Sequence, residues 1–311
     1  MARHRTPRRS RPYLALTAVL LTLGAVAAVA RQAGSGPEGS AVPTTATAHH
    51  ASGKDQSDAK GEPSLQERLN TVLAEATNAA TASGAGHAAV AIADLTTGRS
   101  ATAGDGHAFA TASIVKVGIL AALLLTAQDA DRTLTDQERQ WAAMMIQVSD
   151  NAAATALWDA IGGADGLAQA NRRLGLSETT PGSDGLWGLT QTTAADQLRL
   201  LRAVFTDNSP LSKASRDYMQ QLMDGIAAEQ GWGISAAADD SASTRLKNGW
   251  LSRSETGLWV INSIGTTERD GNRFLVAVLS DDQPSQAAGI SLVETIAVRA
   301  VALLAADLVE R

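Results

Sequence analysis

The order in which apolar patterns follow one another is the feature of the sequence that most restricts its fold. Two short runs typical of strands, His87–Leu95 and Arg99–Ala103, come before a long stretch, residues 112–228, whose spacing is almost entirely helical. Helices are also predicted at the two ends of this body, over residues 64–82 and 288–309. Three later strands are predicted at residues 244–250, 257–266 and 273–280.

This order predicts the α+β fold class, an α/β sandwich. We expect a sheet of five antiparallel strands flanked by the terminal helices. An all-helical lobe, about residues 112–240, is inserted between the second and third strands. A site for a small molecule is expected in the cleft between the lobe and the sheet, and we expect the protein to be a monomer.

The N-terminal part of the chain predicts export. Five arginines precede an apolar run, residues 13–30, that ends in small residues of the kind that signal peptidase recognises. We interpret residues 1–31 as a signal peptide or signal anchor, so that the protein is secreted or held at the outer face of the cytoplasmic membrane through that segment alone. Residues 32–63, rich in Gly, Ser, Ala, Thr and Pro, are expected to be a flexible linker to a folded domain over residues 64–311.

Composition excludes several classes of function. The sequence has no cysteine, so it can form neither a disulfide framework nor a thiolate nucleophile, and it offers no cysteine for lipid attachment. The net charge is −6 although residues 1–31 are rich in arginine, so the rest of the chain is acidic and binding to nucleic acid is not expected. The five histidines show no ligand spacing, and no metal or organic cofactor is implied.

A serine and a lysine open the most apolar segment of the body, Ser113–Ala127. Ser113 and Lys116 are about one helical turn apart, so the amine can reach the hydroxyl. Burial disfavours the charged form of a lysine, and a neutral amine can take the proton of a serine nucleophile. The structural alternative is that Ser113 caps the helix while Lys116 extends from the first turn to solvent.

Two further polar motifs lie on elements that the predicted fold brings to the same cleft. The triplet Ser-Asp-Asn at Ser149–Asn151 lies between two helical segments, although most such triplets are helix caps. The sequence Lys-Asn-Gly-Trp at Lys247–Trp250 lies within a predicted strand, where lysine and glycine are unfavourable unless the strand edge faces a ligand. Together with Ser113 and Lys116, the three motifs predict a single active site.

In this order the motifs resemble the S-x-x-K, S-D-N and K-T-G signature of the class A β-lactamases and, more broadly, of the penicillin-recognising serine hydrolases. The resemblance extends from about residue 66 to residue 310 and implies that β-lactam or related amide and ester bonds are opened through an acyl-enzyme. It implies Ser113 as the nucleophile, Lys116 as its base and Ser149 as the proton relay to the leaving nitrogen. The substrate-binding residues that it implies are Asn151, Lys247, Asn248, Gly249 and Trp250, with backbone N–H groups of Ser113 and Trp250 as the oxyanion hole.

Three departures from the family pattern bear on function. Asn248 replaces the threonine whose hydroxyl normally meets the substrate carboxylate, and the segment between Lys116 and Ser149 is shorter than usual. The E-x-x-x-N pattern of the Ω-loop is missing, because Glu178 comes too early and Asp184 is only a weak substitute as the water-activating group. Loss of a general base typically slows a reaction by about 10²–10⁴-fold, so we expect slow deacylation.

Two other functions share these sequence features. A D-alanyl-D-alanine peptidase or esterase acting on cell-wall peptides uses the same serine and lysine. A non-catalytic cell-wall-binding module can also keep the fold. In each case the partner is a small-molecule β-lactam or a peptidoglycan-type peptide.

Overall fold

The computed structural model describes residues 63–80, 86–104 and 106–309, which all lie in one compact unit, Ala59–Arg311. The predicted export segment, residues 1–31, and the predicted linker up to residue 62 lie outside the described residues. The structure below is therefore that of the predicted folded domain.

The secondary structure follows the predicted order. The helices are α1 (Leu65–Ala80), α2 (Val115–Asp129), α3 (Asp136–Gln147), α4 (Asn151–Ala160), α5 (Gly163–Leu174), α6 (Ala194–Phe205), α7 (Lys213–Asp224) and α8 (Gln286–Val309). The strands are β1 (His87–Asp94), β2 (Ser100–Ala103), β3 (Phe109–Ala110), β4 (Gln191–Thr192), β5 (Arg245–Ser252), β6 (Trp259–Arg269) and β7 (Asn272–Gln283). The short pair formed by β3 and β4 was not predicted, since two residues are too few to show a period.

The main sheet has five strands in the order β2-β1-β7-β6-β5, and all neighbours run antiparallel. The predicted α+β class with a five-stranded antiparallel sheet is confirmed. Strand β5, which carries Lys247–Trp250, lies at an edge of the sheet, so one side of its backbone is open to whatever packs beside it.

Alternating side chains of the sheet face two separate cores. Because successive residues of a strand point to opposite faces, residues that face one core alternate along β1 with residues that face the other. The residues facing the helical lobe are Ala89, Ala91 and Ala93. The residues facing α1 and α8 are Ala88, Val90 and Ile92. The sheet is thus buried on both faces, which fixes its register.

Helix α2 is the central helix of the lobe. Among the described residues, the segment Ala112–Asp129, which contains α2, is the single helix long and apolar enough to span a membrane. However, 78% of that segment is buried inside the domain, as expected of a core helix. The helix that follows Ser113 is therefore held by packing on all sides.

Asn262, in the middle of β6, fastens the sheet to the segment that leads into α2. Its Nδ2 donates to the carbonyl oxygens of Ala110 (2.9 Å) and Thr111 (3.0 Å). Its Oδ1 accepts a hydrogen bond from the backbone N–H of Ser280 (3.2 Å). Asn262 is fully buried, so losing the amide removes three hydrogen bonds to backbone groups inside the protein.

We therefore expect Asn262→Ala to lower the free energy of unfolding by roughly 2–4 kcal/mol, at about 1 kcal/mol for each lost hydrogen bond. Urea unfolding followed by circular dichroism measures this change. Asn272→Ala is the matched control, because Asn272 makes one hydrogen bond in an exposed turn, to the carbonyl oxygen of Asp270. Equal losses in the two variants would contradict the role of Asn262.

Candidate active site

Ser113 lies in a single 3₁₀ turn, Ala112–Ile114, immediately before α2. Ala112 has φ of 46°, a left-handed conformation that costs a residue with a side chain about 1–2 kcal/mol. No side chain of the described residues caps either the turn or α2, so Ser113 does not have the N-cap role of the structural alternative. Ser113 is half-buried, and its turn is held in place by the fold rather than by its own local preference.

Edge strand β5 lies directly against this turn, and Gly249 allows the approach. A Cβ added at Gly249 would lie 2.8 Å from the backbone nitrogens of Ser113 and Ile114, and 2.7 Å from the carbonyl oxygen of Thr111. Only glycine fits at such a distance. The predicted glycine of the strand motif therefore sets the contact between β5 and the nucleophile turn.

Lys116 is fully buried, so the structural alternative of a lysine extending to solvent does not apply. Its Nζ donates to the carbonyl oxygen of Ser149 (2.6 Å), to Ser149 Oγ (3.1 Å) and to Asn151 Oδ1 (2.8 Å). Burial lowers the pKa of Lys116 from 10.5 to about 8, while the charge of Asp150 acts in the opposite direction. About one amine in ten is then neutral at pH 7.

Ser149 lies between two lysines. Its Oγ accepts hydrogen bonds from Lys116 Nζ (3.1 Å) and Lys247 Nζ (3.0 Å), and its backbone has φ of 57°. The next residue, Asp150, accepts a hydrogen bond from the backbone N–H of Ala153 (2.7 Å) and caps α4. The triplet therefore fits both interpretations. Asp150, at its centre, caps α4, while Ser149 Oγ accepts hydrogen bonds from both lysines and Asn151 Oδ1 accepts one from Lys116.

Lys247, on β5, is the second buried lysine of the site, with 1% of its surface exposed. Its Nζ also donates to the carbonyl oxygen of Asn248 (2.9 Å). Burial, and after it the charge of Lys116, holds the pKa of Lys247 well below its usual range. Within the described part of the chain, neither lysine forms an ion pair with a carboxylate. The site therefore favours an anionic group on a ligand.

The other two residues of the strand motif contact the segment before β5. Asn248 is fully buried, and its Nδ2 donates to the carbonyl oxygens of Gln230 (2.8 Å) and Trp232 (2.9 Å). This amide therefore donates both of its hydrogen bonds to backbone carbonyls, whereas the family resemblance implied that Asn248 contacts the substrate. Trp250 is half-buried, and its ring packs edge to face against that of Trp232, with centroids 5.9 Å apart.

The loop before β4 presents an indole to Lys116. The ring centroid of Trp187 lies 5.0 Å from Lys116 Nζ, and the indole N–H donates to Thr155 Oγ1 (3.2 Å). The loop is tied to the nucleophile segment by the backbone N–H of Thr111, which donates to the carbonyl oxygen of Thr190 (2.8 Å). Trp187 is therefore the side chain of this loop that contacts the Lys116 amine.

Neither acidic residue considered for water activation lies at the lysines. Glu178 accepts a hydrogen bond from Thr193 Oγ1 (3.2 Å) and lies 3.7 Å from Arg199. Asp184 is exposed in a left-handed position (φ 53°) of the loop before Trp187. The carboxylate whose charge acts on Lys116 is that of Asp150, which is already used as a helix cap.

Sequence reasoning missed two residues of this arrangement. Trp187 opens a single 3₁₀ turn, Trp187–Leu189, which is too short for a periodicity to mark a side chain as facing a site. Asn262 directly follows the apolar run Trp259–Ile261, and a polar residue there was a signal that could have been used, because a buried amide needs partners. Both residues contact the site from elements that are far from Ser113 in the sequence.

The arrangement combines the parts of an acyl-transfer site. A half-buried serine lies in a strained turn, and the lysine three residues further on has an amine with a lowered pKa. Within the described domain that amine is hydrogen-bonded to Ser149 and Asn151 and not to Ser113, and the Ser149 hydroxyl contacts two amines. A neutral amine can activate a hydroxyl, and a hydroxyl bonded to ammonium groups can pass on a proton.

Comparison with known proteins places the chain in a family. The family model for the β-lactamase enzyme family matches residues 65–139 and 137–304. A protein named "Putative lipoprotein LppW" from Mycobacterium tuberculosis strain H37Rv is 34% identical over 163 residues, which are 51% of this chain and 52% of that protein. The match therefore covers only about half the length of this relative.

Solved structures share the fold. A mutant of PBP-A, an acyl-enzyme complex with penicillin G, superposes with a TM-score of 0.64 at 20% identity, covering 76% of this chain and 97% of that one. The TLA-1 extended-spectrum β-lactamase superposes with a TM-score of 0.68 at 15% identity, covering 78% and 99%. With the family model matched over most of the described domain, this chain belongs to the β-lactamase enzyme family of penicillin-recognising serine hydrolases.

Proposed function

We propose that this protein is an exported serine hydrolase that opens β-lactam or related amide and ester bonds through an acyl-enzyme at Ser113. The observation that carries the proposal is the position of the Ser149 hydroxyl between the buried amines of Lys116 and Lys247. The turn that holds Ser113 lies against the same strand as Lys247, at Gly249. Capture of a PBP-A mutant, which shares the fold, as an acyl-enzyme with penicillin G supports this chemistry.

In the proposed acylation, the neutral Nζ of Lys116 takes the proton of the Ser113 hydroxyl while Oγ attacks the substrate carbonyl carbon. Backbone N–H groups of Ser113 and Trp250 stabilise the negative charge that develops on the carbonyl oxygen. As the C–N bond breaks, the Ser149 hydroxyl gives its proton to the leaving nitrogen. A lysine ammonium group hydrogen-bonded to Ser149 Oγ then replaces that proton.

The same lysines account for substrate choice. Two buried amines without a carboxylate partner in the described domain favour a ligand that carries its own carboxylate. β-Lactam antibiotics and peptides with a free C-terminus both supply one. We assign this contact to Lys247, and the substrate's side-chain amide to Asn151, whose Oδ1 is already held by Lys116.

Release of the acyl group is proposed to be slow. Hydrolysis of the acyl-enzyme needs a base that activates water, and the loop offers Trp187 to Lys116 instead of a carboxylate. An indole N–H can donate a hydrogen bond but cannot accept a proton. Slow release also favours the second candidate, a D-alanyl-D-alanine peptidase or esterase that acts on cell-wall peptides and is trapped by β-lactams.

We propose that the N-terminal segment, residues 1–31, directs export, because its arginines precede an apolar run. The mycobacterial relative carries lipoprotein in its name. This sequence contains no cysteine, so a lipid cannot be attached here through a thioether. Attachment to the membrane would then depend on residues 13–30.

Covalent trapping tests Ser113 as the nucleophile. Incubation with a fluorescent penicillin should label the protein one to one, and Ser113→Ala should abolish the label. Ser57→Ala is the matched control, because Ser57 and Lys60 repeat the same spacing in the predicted linker. Mass spectrometry of the Ser113 peptide and the decay of the label measure acylation and release.

Labelling that is unchanged in Ser113→Ala would overturn the proposal. A label that decays within seconds would contradict slow release and favour an efficient β-lactamase. Cleavage of a D-alanyl-D-alanine peptide by the wild type, absent in Ser113→Ala, would favour the peptidase.

The pH dependence of acylation tests Lys116 as the base. Because only the neutral amine of Lys116 can take the Ser113 proton, the second-order rate constant of acylation should fall about tenfold per pH unit below pH 7. It should level off above about pH 8, where burial places the pKa of Lys116. Stopped-flow acylation between pH 5.5 and 9.5 measures the profile. Circular dichroism at each pH is the control for folding, and a flat profile would show that another base acts.

A substitution at Gly249 tests whether β5 positions the turn that holds Ser113. Gly249→Ala adds a Cβ within 2.8 Å of the Ser113 turn, so it should displace the nucleophile and lower the acylation rate by about 10²-fold. Gly118→Ala is the control, since its Cβ would meet only Leu167 Cδ1 at 3.5 Å, and alanine favours a helix. If both variants are acylated at the wild-type rate, β5 does not position the turn.

A further inference from the structure

Two histidines and an aspartate meet outside the active site. His87 opens β1, His107 follows β2, and Asp281 lies on β7 directly opposite His87. His87 Nδ1 lies 3.1 Å from Asp281 Oδ1, and His107 Nε2 lies 2.8 Å from Asp281 Oδ2. Each oxygen of the Asp281 carboxylate therefore lies close to a ring nitrogen of one histidine.

The geometry points to a metal site: we propose that His87, His107 and Asp281 bind a divalent transition-metal ion of the zinc class. One ligand atom from each residue lies within 4.8 Å of the others. Tetrahedral zinc with bonds of about 2.0–2.1 Å places its ligand atoms about 3.3 Å apart. The cluster therefore needs only small side-chain movements to close around an ion.

Burial and ring packing distinguish this cluster from a chance surface contact. The Asp281 side chain is 8% exposed, so a charged carboxylate is held away from water and directed at two imidazoles. The two rings are stacked, with centroids 4.3 Å apart and planes 19° apart. The stacking brings one nitrogen of each ring to the same carboxylate, so the two imidazoles can bind one cation together.

The ligand types select the ion. Imidazole nitrogen with carboxylate oxygen suits Zn²⁺, Ni²⁺ or Cu²⁺, whereas Mg²⁺ and Ca²⁺ prefer oxygen ligands. Three protein ligands leave room for a fourth. Asp282 is a further candidate, with its Oδ2 3.8 Å from His87 Nδ1.

The position of the cluster gives the ion a role. His107 lies two residues before β3, and Phe109 packs edge to face on its ring at 4.5 Å. Strand β3 continues into the segment that Asn262 holds and that ends in Ser113. An ion at the cluster would therefore join β1 and β7 to the start of the nucleophile segment, and it would stabilise the folded protein without taking part in acylation.

The test is titration of the tag-free, full-length protein with ZnCl₂ by isothermal titration calorimetry. We expect one ion per chain and a rise in Tm of about 5 °C or more at a hundredfold excess over Kd. His107→Gln should weaken binding by at least about 100-fold, because it removes a ligand and not only a supporting contact. The double variant H49Q/H50Q is the matched control, since it removes two histidines of the predicted linker and should bind as the wild type does.

Absence of binding in the wild type would overturn the proposal. Loss of binding in H49Q/H50Q with retention in His107→Gln would also overturn it, by placing the ion at residues 49 and 50. His87→Gln provides the same test at a more exposed position, should His107→Gln fail to fold. The visible spectrum of the Co²⁺ form reports the coordination directly, and bands typical of tetrahedral cobalt that are lost in Asp281→Asn would support the site.

Discussion

The site depends on two lysine amines that share one hydroxyl in the interior of the protein. Burial disfavours the charged forms of both amines, and the charge of Lys116 further disfavours that of Lys247, while Asp150 acts in the opposite direction on Lys116. That penalty is what provides a neutral amine near physiological pH. The same penalty makes the site receptive to an anionic substrate, because a carboxylate arriving there relieves the repulsion.

Maintaining this arrangement requires free energy from the rest of the fold. Ala112 and Ser149 both have left-handed backbones, each of which costs about 1–2 kcal/mol for a residue with a side chain. The sheet, buried on both faces, provides the rigid support that offsets such costs. Asn262 and Gly249 transmit that support, one by hydrogen bonds to the segment before Ser113 and the other by allowing close contact with it.

The sequence predicted the fold well because its elements are long and strongly patterned. The five main strands, the terminal helices and the inserted lobe all begin and end within a few residues of the predicted positions. The motif residues Lys116, Ser149 and Lys247 were also named, and the structure places their polar atoms in contact. By contrast, the family resemblance implied Asn248 as a substrate-binding residue, which stays a prediction, and only the structure shows that its Nδ2 donates to two backbone carbonyls of a neighbouring segment.

What the sequence by itself determined is the order of the elements and the chemical types available, including a lysine within an apolar helix and a complete lack of cysteine. Only the tertiary structure decided that Trp187, and neither Glu178 nor Asp184, faces Lys116. It also decided that His87 and His107 meet at Asp281. The reason is physical: periodicity encodes which face of an element is buried, whereas contacts between irregular loops depend on packing between residues far apart in the chain.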